Sequence, residues 1–146
     1  MTGLPEGYEL SFDAYRIDAE AAHAYLTRSY WSPGIPLDLV QRAITNSMCV
    51  AIFCEERQVA FARLITDKAT FAWLADVYVL EKHRGKGLSK ALVSALLAHP
   101  ELQGLRRWAL STVDAHGLYR QFGWEAPAVP ERLMERMRPV LYKVPE

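Results

Sequence analysis

The spacing of apolar and polar positions changes several times along this chain, and each change marks an element. Residues 48–54 and 58–65 are β-rich runs joined by Glu55-Glu56-Arg57, which predicts a hairpin. Asp67-Lys68 makes the next turn, and residues 69–80 read as a long strand. Beyond it the period becomes helical. Leu88, Ala91, Leu92, Ala95 and Leu96 share one face, which predicts a helix over residues 87–98 that ends before Pro100. Residues 107–111 return to strand. Residues 114–122 form a last helix, with Asp114 as its cap, Gly123 as its stop, and Ala115, Leu118, Tyr119 and Phe122 on one face. Upstream, residues 8–12 read as a short strand. Asp18 caps a helix that turns Ala22, Tyr25 and Leu26 inward, and Pro36 opens another carrying Leu37, Val40 and Ile44. The stretch from Tyr30 to Pro36 between them is a loop, as is the proline-rich stretch 127–130. Periodicity leaves 133–138 open between a strand and a short helix. The order of elements is α+β with a mixed sheet.

Composition narrows the picture. The 146 residues are 51% hydrophobic with zero formal net charge, which argues for one domain with a real core, 1–146, and against a disordered chain or a general nucleic-acid binder. No apolar run reaches the ~18 residues that span a membrane, and the first residues lack a signal pattern, so the chain reads as cytoplasmic. Cys49 and Cys54 read as reduced core thiols, and no His, Cys or Asp cluster has metal-ligand spacing.

One local feature stands apart from this neutral background. The predicted strand at Val77, Tyr78 and Val79 runs into Arg84-Gly85-Lys86-Gly87-Leu88-Ser89, and a helix follows at once. A helix N-terminus presents unpaired N–H groups and partial positive charge, glycines allow close backbone approach, and the basic side chains add charge. Such a loop holds a phosphate or pyrophosphate. It is no Walker A motif, because Leu-Ser follows Gly87. It is a poor dinucleotide fingerprint, because Lys90 stands where the third glycine belongs.

The loop resembles Arg-x-x-Gly-x-Gly/Ala, the pyrophosphate loop of the GNAT acetyltransferase superfamily, with Ser89 in the last place. Ala115, Leu118, Tyr119 and Gly123 resemble a second GNAT signature, Ala-x-x-Leu-Tyr-x-x-x-Gly-Phe, with Trp124 for Phe and Thr112 where Asn is common. The two segments have the expected order and separation, and together cover residues 69–125. The resemblance implies a GNAT fold, a mixed and mostly antiparallel sheet of about six or seven strands flanked by about four helices. It implies acetyl-CoA as acyl donor, and no metal. The donor's pantetheine arm would lie where the fourth and fifth strands splay, along Val77, Tyr78 and Val79. Its pyrophosphate would meet Arg84, Gly85, Lys86, Gly87, Leu88 and Ser89, with Asp114, Leu118 and Phe122 also on the cofactor side. Proteins of this resemblance are frequently homodimers, and the implied partners are acetyl-CoA and an amine acceptor.

Acetyl transfer to an amine needs a neutral amine, a stabilised oxyanion and a proton for the departing thiolate. A phenol of pKa ~10 stays protonated at neutral pH and can donate toward a thiolate of pKa ~8.5. The resemblance gives Tyr119 that role; a plain packing residue is the other reading. A lysine-like amine has pKa ~10.4, so a base or a water leading to one helps. Asp76, an acid inside an apolar strand, is the candidate, and a structural carboxylate paired with Arg63 or marking a bulge is the competing reading. His83 and His116 read as surface or cofactor-adjacent, and Arg106-Arg107 as a solvated pair. Tyr30, Trp31, Arg63, Thr70 and Trp73 are candidates for lining the acceptor site: the aromatics for an ammonium, Arg63 for a carboxylate-bearing acceptor. The leading expectation is an acetyl-CoA-dependent N-acetyltransferase acting on a small molecule or peptide. A GNAT-fold module that binds acyl-CoA without transfer, as sensor or regulator, is the alternative. A phosphate-binding α/β protein of another class is a third.

Overall fold

The computed structural model describes residues 3–138 and Tyr142. Its elements run β1 (Tyr8–Ser11), α1 (Ala19–Leu26), α2 (Leu37–Thr45), β2 (Met48–Cys54), β3 (Arg57–Thr66), β4 (Phe71–Val79), α3 (Leu88–Ala98), β5 (Arg107–Leu110) and α4 (His116–Arg120). The strands lie in sequence order in one sheet. All neighbours are antiparallel except β4 and β5, which are parallel. α3 is the crossover between them, as a parallel pair requires.

Two apolar layers hold the sheet. On one face Val50, Ile52, Val59, Ala62, Leu64, Ala72 and Leu74 pack against Leu88, Leu92 and Leu96 of α3. On the other, Ala51, Phe53, Phe61 and Tyr78 pack beneath Ala22 and Leu26 of α1 and Val40 of α2. β2 and β3 are covered on both faces and read as continuous apolar runs for that reason. α1 starts where Asp18 accepts a hydrogen bond from the Ala21 N–H at 3.0 Å.

Several boundaries differ from the sequence reading. Among the described residues the sheet has five strands. Residues 133–138 are neither strand nor helix, and Leu133, Met134 and Met137 stand exposed there. α4 begins at His116, and Asp114 does not cap it. The Thr112 hydroxyl instead accepts from the Ala115 N–H at 3.1 Å, a side-chain bond to the backbone three residues on, just before the helix. The hairpin between β2 and β3 turns on Glu55 and Glu56 alone, both left-handed at φ 49° and 66°.

Candidate functional site

β4 and β5 pair only over Phe71–Leu74 and Arg107–Leu110. β4 then runs on to Val79 with β3 on one side and no rung to β5 on the other. The parting opens a cleft of about 770 Å3. Its floor is β4 from Trp73 to Val79. One wall is Leu110–Ala115 with Leu118 and Tyr119, and the opposite wall is α1 and the loop after it, Tyr25 to Trp31. The glycine loop closes one end.

That end fits an anionic ligand. Gly85 and Gly87 have φ of +79° and +78°, and a Cβ at either would meet open space, so the backbone lies bare at the surface. α3 starts on Gly87, and no acidic residue sits in its first turn to compete for the free N–H groups. Arg84 holds the strand and the loop together: its Nε donates to the Val79 carbonyl at 3.0 Å and its Nη2 to the Tyr25 hydroxyl at 3.0 Å. The Tyr25 ring in turn stacks on Tyr78, 4.2 Å between centroids and 7° from parallel. His83 lines this end too, tied through Nδ1 to the Tyr8 hydroxyl at 2.7 Å.

Tyr119 sits in the wall, 8% exposed, and lines both the main cleft and a second cavity of about 660 Å3 behind it. Burial pushes its phenol up to about 12, with Tyr30 and Asp114 adding to the effect. Trp124 packs edge-on against it at 5.8 Å.

Asp76 occupies a bulge. Phe61 pairs with Tyr78 and Arg63 with Ala75, so β4 carries one residue more than β3 here, and Asp76 takes up the excess at φ +55°. Both carboxylate oxygens are engaged. Oδ2 accepts from Arg63 Nε at 2.8 Å, and Oδ1 accepts from the indole N–H of Trp31 at 2.9 Å. Arg63 also donates to the Ser47 hydroxyl at 3.2 Å.

Of the residues singled out from the sequence, Tyr30, Trp31, Trp73, Asp76, Val77, Tyr78, Val79, Arg84, Gly85, Gly87, Leu88, Ser89, Asp114, Leu118 and Tyr119 all line the cleft. Tyr78 offers it little besides backbone, because its ring is buried under α1. Lys86 is exposed and outside the lining, and Phe122 packs into the core beneath. Arg63 lies behind Asp76, in a separate cavity of about 230 Å3 that Trp31 and Tyr142 also line. Thr70 does not reach the site: its hydroxyl and N–H are bound by Asp67 in the β3–β4 turn. Three backbone N–H groups and that hydroxyl hold the Asp67 carboxyl well below the usual range. His116 lines the second cavity, not the cleft. Sequence reasoning missed Arg28, Ser29 and the Ser111–Val113 turn as lining; Thr112, at the place where GNAT proteins commonly carry Asn, was the available signal for the last.

Two parallel strands thus part over a cleft with a glycine loop and a helix N-terminus at its mouth, in an α+β fold. The family model described as acetyltransferase (GNAT) family matches residues 6–124. The chain belongs to the GNAT acetyltransferase family and is an acyltransferase. It is 30% identical to a Gibberella zeae protein named "Putative acetyltransferase FG08082", over 77% of this chain and 75% of that one. The crystal structure of a putative GNAT acetyltransferase from Xanthomonas campestris pv. campestris is 52% identical and covers 97% of this chain and 100% of that one, with a TM-score of 0.92. Glucosamine-6-phosphate N-acetyltransferase from Arabidopsis thaliana shares the fold alone, at 16% identity over 90% and 99% of the two chains and a TM-score of 0.65. Family members use acetyl-CoA. Among the described residues no helix is long and apolar enough to cross a membrane, and no group of three His, Cys, Asp or Glu could hold a metal ion.

Proposed function

We propose that this chain moves an acetyl group from acetyl-CoA directly to a primary amine of a small molecule or peptide. The observation that carries the reading is the cleft itself: β4 leaves β5 at Leu74, and the gap joins the glycine loop to the buried phenol of Tyr119. Acetyl-CoA, when bound, supplies the thioester. Gly85, Gly87 and Ser89 offer backbone N–H groups to the pyrophosphate, with the charge of Arg84 beside them and that of Lys86 at the loop surface. The backbone of Val77–Val79 has no rung to β5 and, apart from the Val79 carbonyl that Arg84 holds, offers amide groups to the pantetheine arm. Asp114 and Leu118 line the same channel.

Tyr119 is the proton donor toward the departing sulfur. A phenol held at about 12 keeps its proton through the working range. Handing it outright to a thiolate of pKa ~8.5 is uphill by about 3.5 units, or roughly 5 kcal/mol, so Tyr119 acts first as a hydrogen-bond donor. Full transfer follows only as the amine releases its own proton. Asp76 takes part through water. A carboxylate has about four acceptor sites, and Arg63 and Trp31 occupy one on each oxygen, which leaves room to orient a water that receives the amine proton.

Thermal unfolding with acetyl-CoA, CoA, ATP and NAD tests the donor. A ligand at ~100 times its dissociation constant adds about 2.7 kcal/mol, a rise of several degrees, expected for acetyl-CoA and CoA only. Tyr119→Phe tests the acid: kcat should fall about 100-fold or more, with the acetyl-CoA shift retained. Unchanged kcat would remove Tyr119 from the mechanism, and no shift with either CoA compound would remove the donor.

A further inference from the structure

The two ends of the cleft differ in chemistry. The glycine-loop end carries Arg84 and His83. The other end lies over β4 at its bulge, walled by Tyr30, Trp31 and Trp73, which are 59%, 38% and 36% exposed. Large aromatic side chains are rarely left this open together without a ligand to cover them. Tyr30 and Trp31 meet edge to face at 5.0 Å, and Trp31 is held by its bond to Asp76 rather than by burial. A side chain of the sheet is thus committed to keeping an indole at the rim.

The charges near this end are already paired. Arg63 is paired with Asp76. Arg28, toward the glycine loop, meets Glu81 through both Nη atoms, at 2.8 and 3.4 Å, and lies over the Tyr25 ring. The acceptor end therefore shows aromatic faces and Asp76, already paired with Arg63, with no unpaired cation among the described residues that line it.

We infer that the acceptor is a primary amine with a single positive charge on an aromatic or bulky apolar body, and that it carries no carboxylate. The inference rests on the acetyl-transfer reading and names its acceptor class. The rim rings take up the apolar body by stacking and the ammonium by its attraction to a π face. A carboxylate on the acceptor would face Asp76 with no cation left to meet it, since Arg63 is already paired. A polyamine would bring several ammonium groups to an end whose one acid, Asp76, is already engaged. The reaction balances within these groups. The ammonium first gives one proton to water and becomes the free amine; its nitrogen then bonds to the acetyl carbon as the carbon–sulfur bond breaks, the second nitrogen proton leaves, and the thiolate takes one proton up.

Phenethylamine, phenylalanine and spermidine are the probes, read by thiol release at saturating acetyl-CoA. The first two differ by one carboxylate. The kcat/KM for phenethylamine should exceed that for each of the others by about tenfold or more. Trp73→Ala should raise the KM for phenethylamine about fivefold while leaving that for acetyl-CoA unchanged. Equal or better use of phenylalanine or spermidine overturns the inference and leaves acetyl transfer standing. So does an unmoved phenethylamine KM in Trp73→Ala, or an absence of thiol release with all three from protein that acetyl-CoA still stabilises. Loss of that stabilisation strikes the acetyl-transfer reading itself, and the inference goes with it.

Discussion

Asp76 shows what one residue can ask of a fold. An acid in an apolar strand needs a partner, and Arg63 on the neighbouring strand was legible as one. The Trp31 bond was not, because nothing local ties a loop residue to a strand 45 positions away. Asp76→Asn leaves the Arg63 guanidinium, 17% exposed, without its counter-charge, and stability should drop by about 2 kcal/mol, below the 3–5 typical of a fully buried pair. Urea denaturation reads that. The pH profile of kcat/KM separates the catalytic share: if Asp76 helps take the amine proton, the acidic limb moves to higher pH in Asp76→Asn, and if it only holds Trp31 the limb stays in place. Tyr119 was legible through its signature. Its burial and its neighbours Tyr30 and Asp114 came only from the packing of distant segments.

Elements were legible in proportion to their length and periodicity. α3 and strands β2 to β4 lie within a few residues of their expected places, since repeated apolar spacing marks them. α4 is shorter than its apolar face suggests because Thr112 competes for the chain just before it. The apolar side chains at 133–138 suggested a further element, yet Leu133, Met134 and Met137 stand exposed in irregular backbone. The β2–β3 hairpin keeps register with two left-handed glutamates, residues poorly suited to a two-residue turn. Glu56→Gly should relieve part of that strain, and after the added freedom of the unfolded chain a net gain of about 0.5–1 kcal/mol remains. A lower or unchanged midpoint in urea would mean that the glutamate side chain compensates.

At the scale of the whole molecule, burial sets a limit on the alkaline side. Desolvation pushes Cys49, Tyr78 and Tyr119 each up to about 12. The folded state then holds protons that the unfolded state releases from about pH 9 upward, so stability is complete below that range and falls as pH rises toward 12. The loss should be on the order of 3 kcal/mol by pH 10.5, and equal denaturation midpoints at pH 7.5 and 10.5 would count against it. The order of elements, and with it the fold class, could be read from the chain. The parting of β4 from β5 could not. It depends on how far two distant segments pair, and the β4 run continues past the last shared rung at Leu74 with Asp76 its only break.

The placement of Tyr119 between two hollows has a practical consequence. Its ring is a bulkhead that lines both the 770 Å3 cleft and the 660 Å3 cavity, as Leu110, Ser111 and Thr112 also do. Phenylalanine keeps the bulkhead and removes only the hydroxyl. Alanine would remove the bulkhead, join the compartments and admit water from behind. A Tyr119→Ala enzyme should therefore leak, releasing thiol from acetyl-CoA in the absence of any amine faster than Tyr119→Phe does. Comparing amine-free thiol release in the two variants tells whether this side chain guards the thioester as well as serving it.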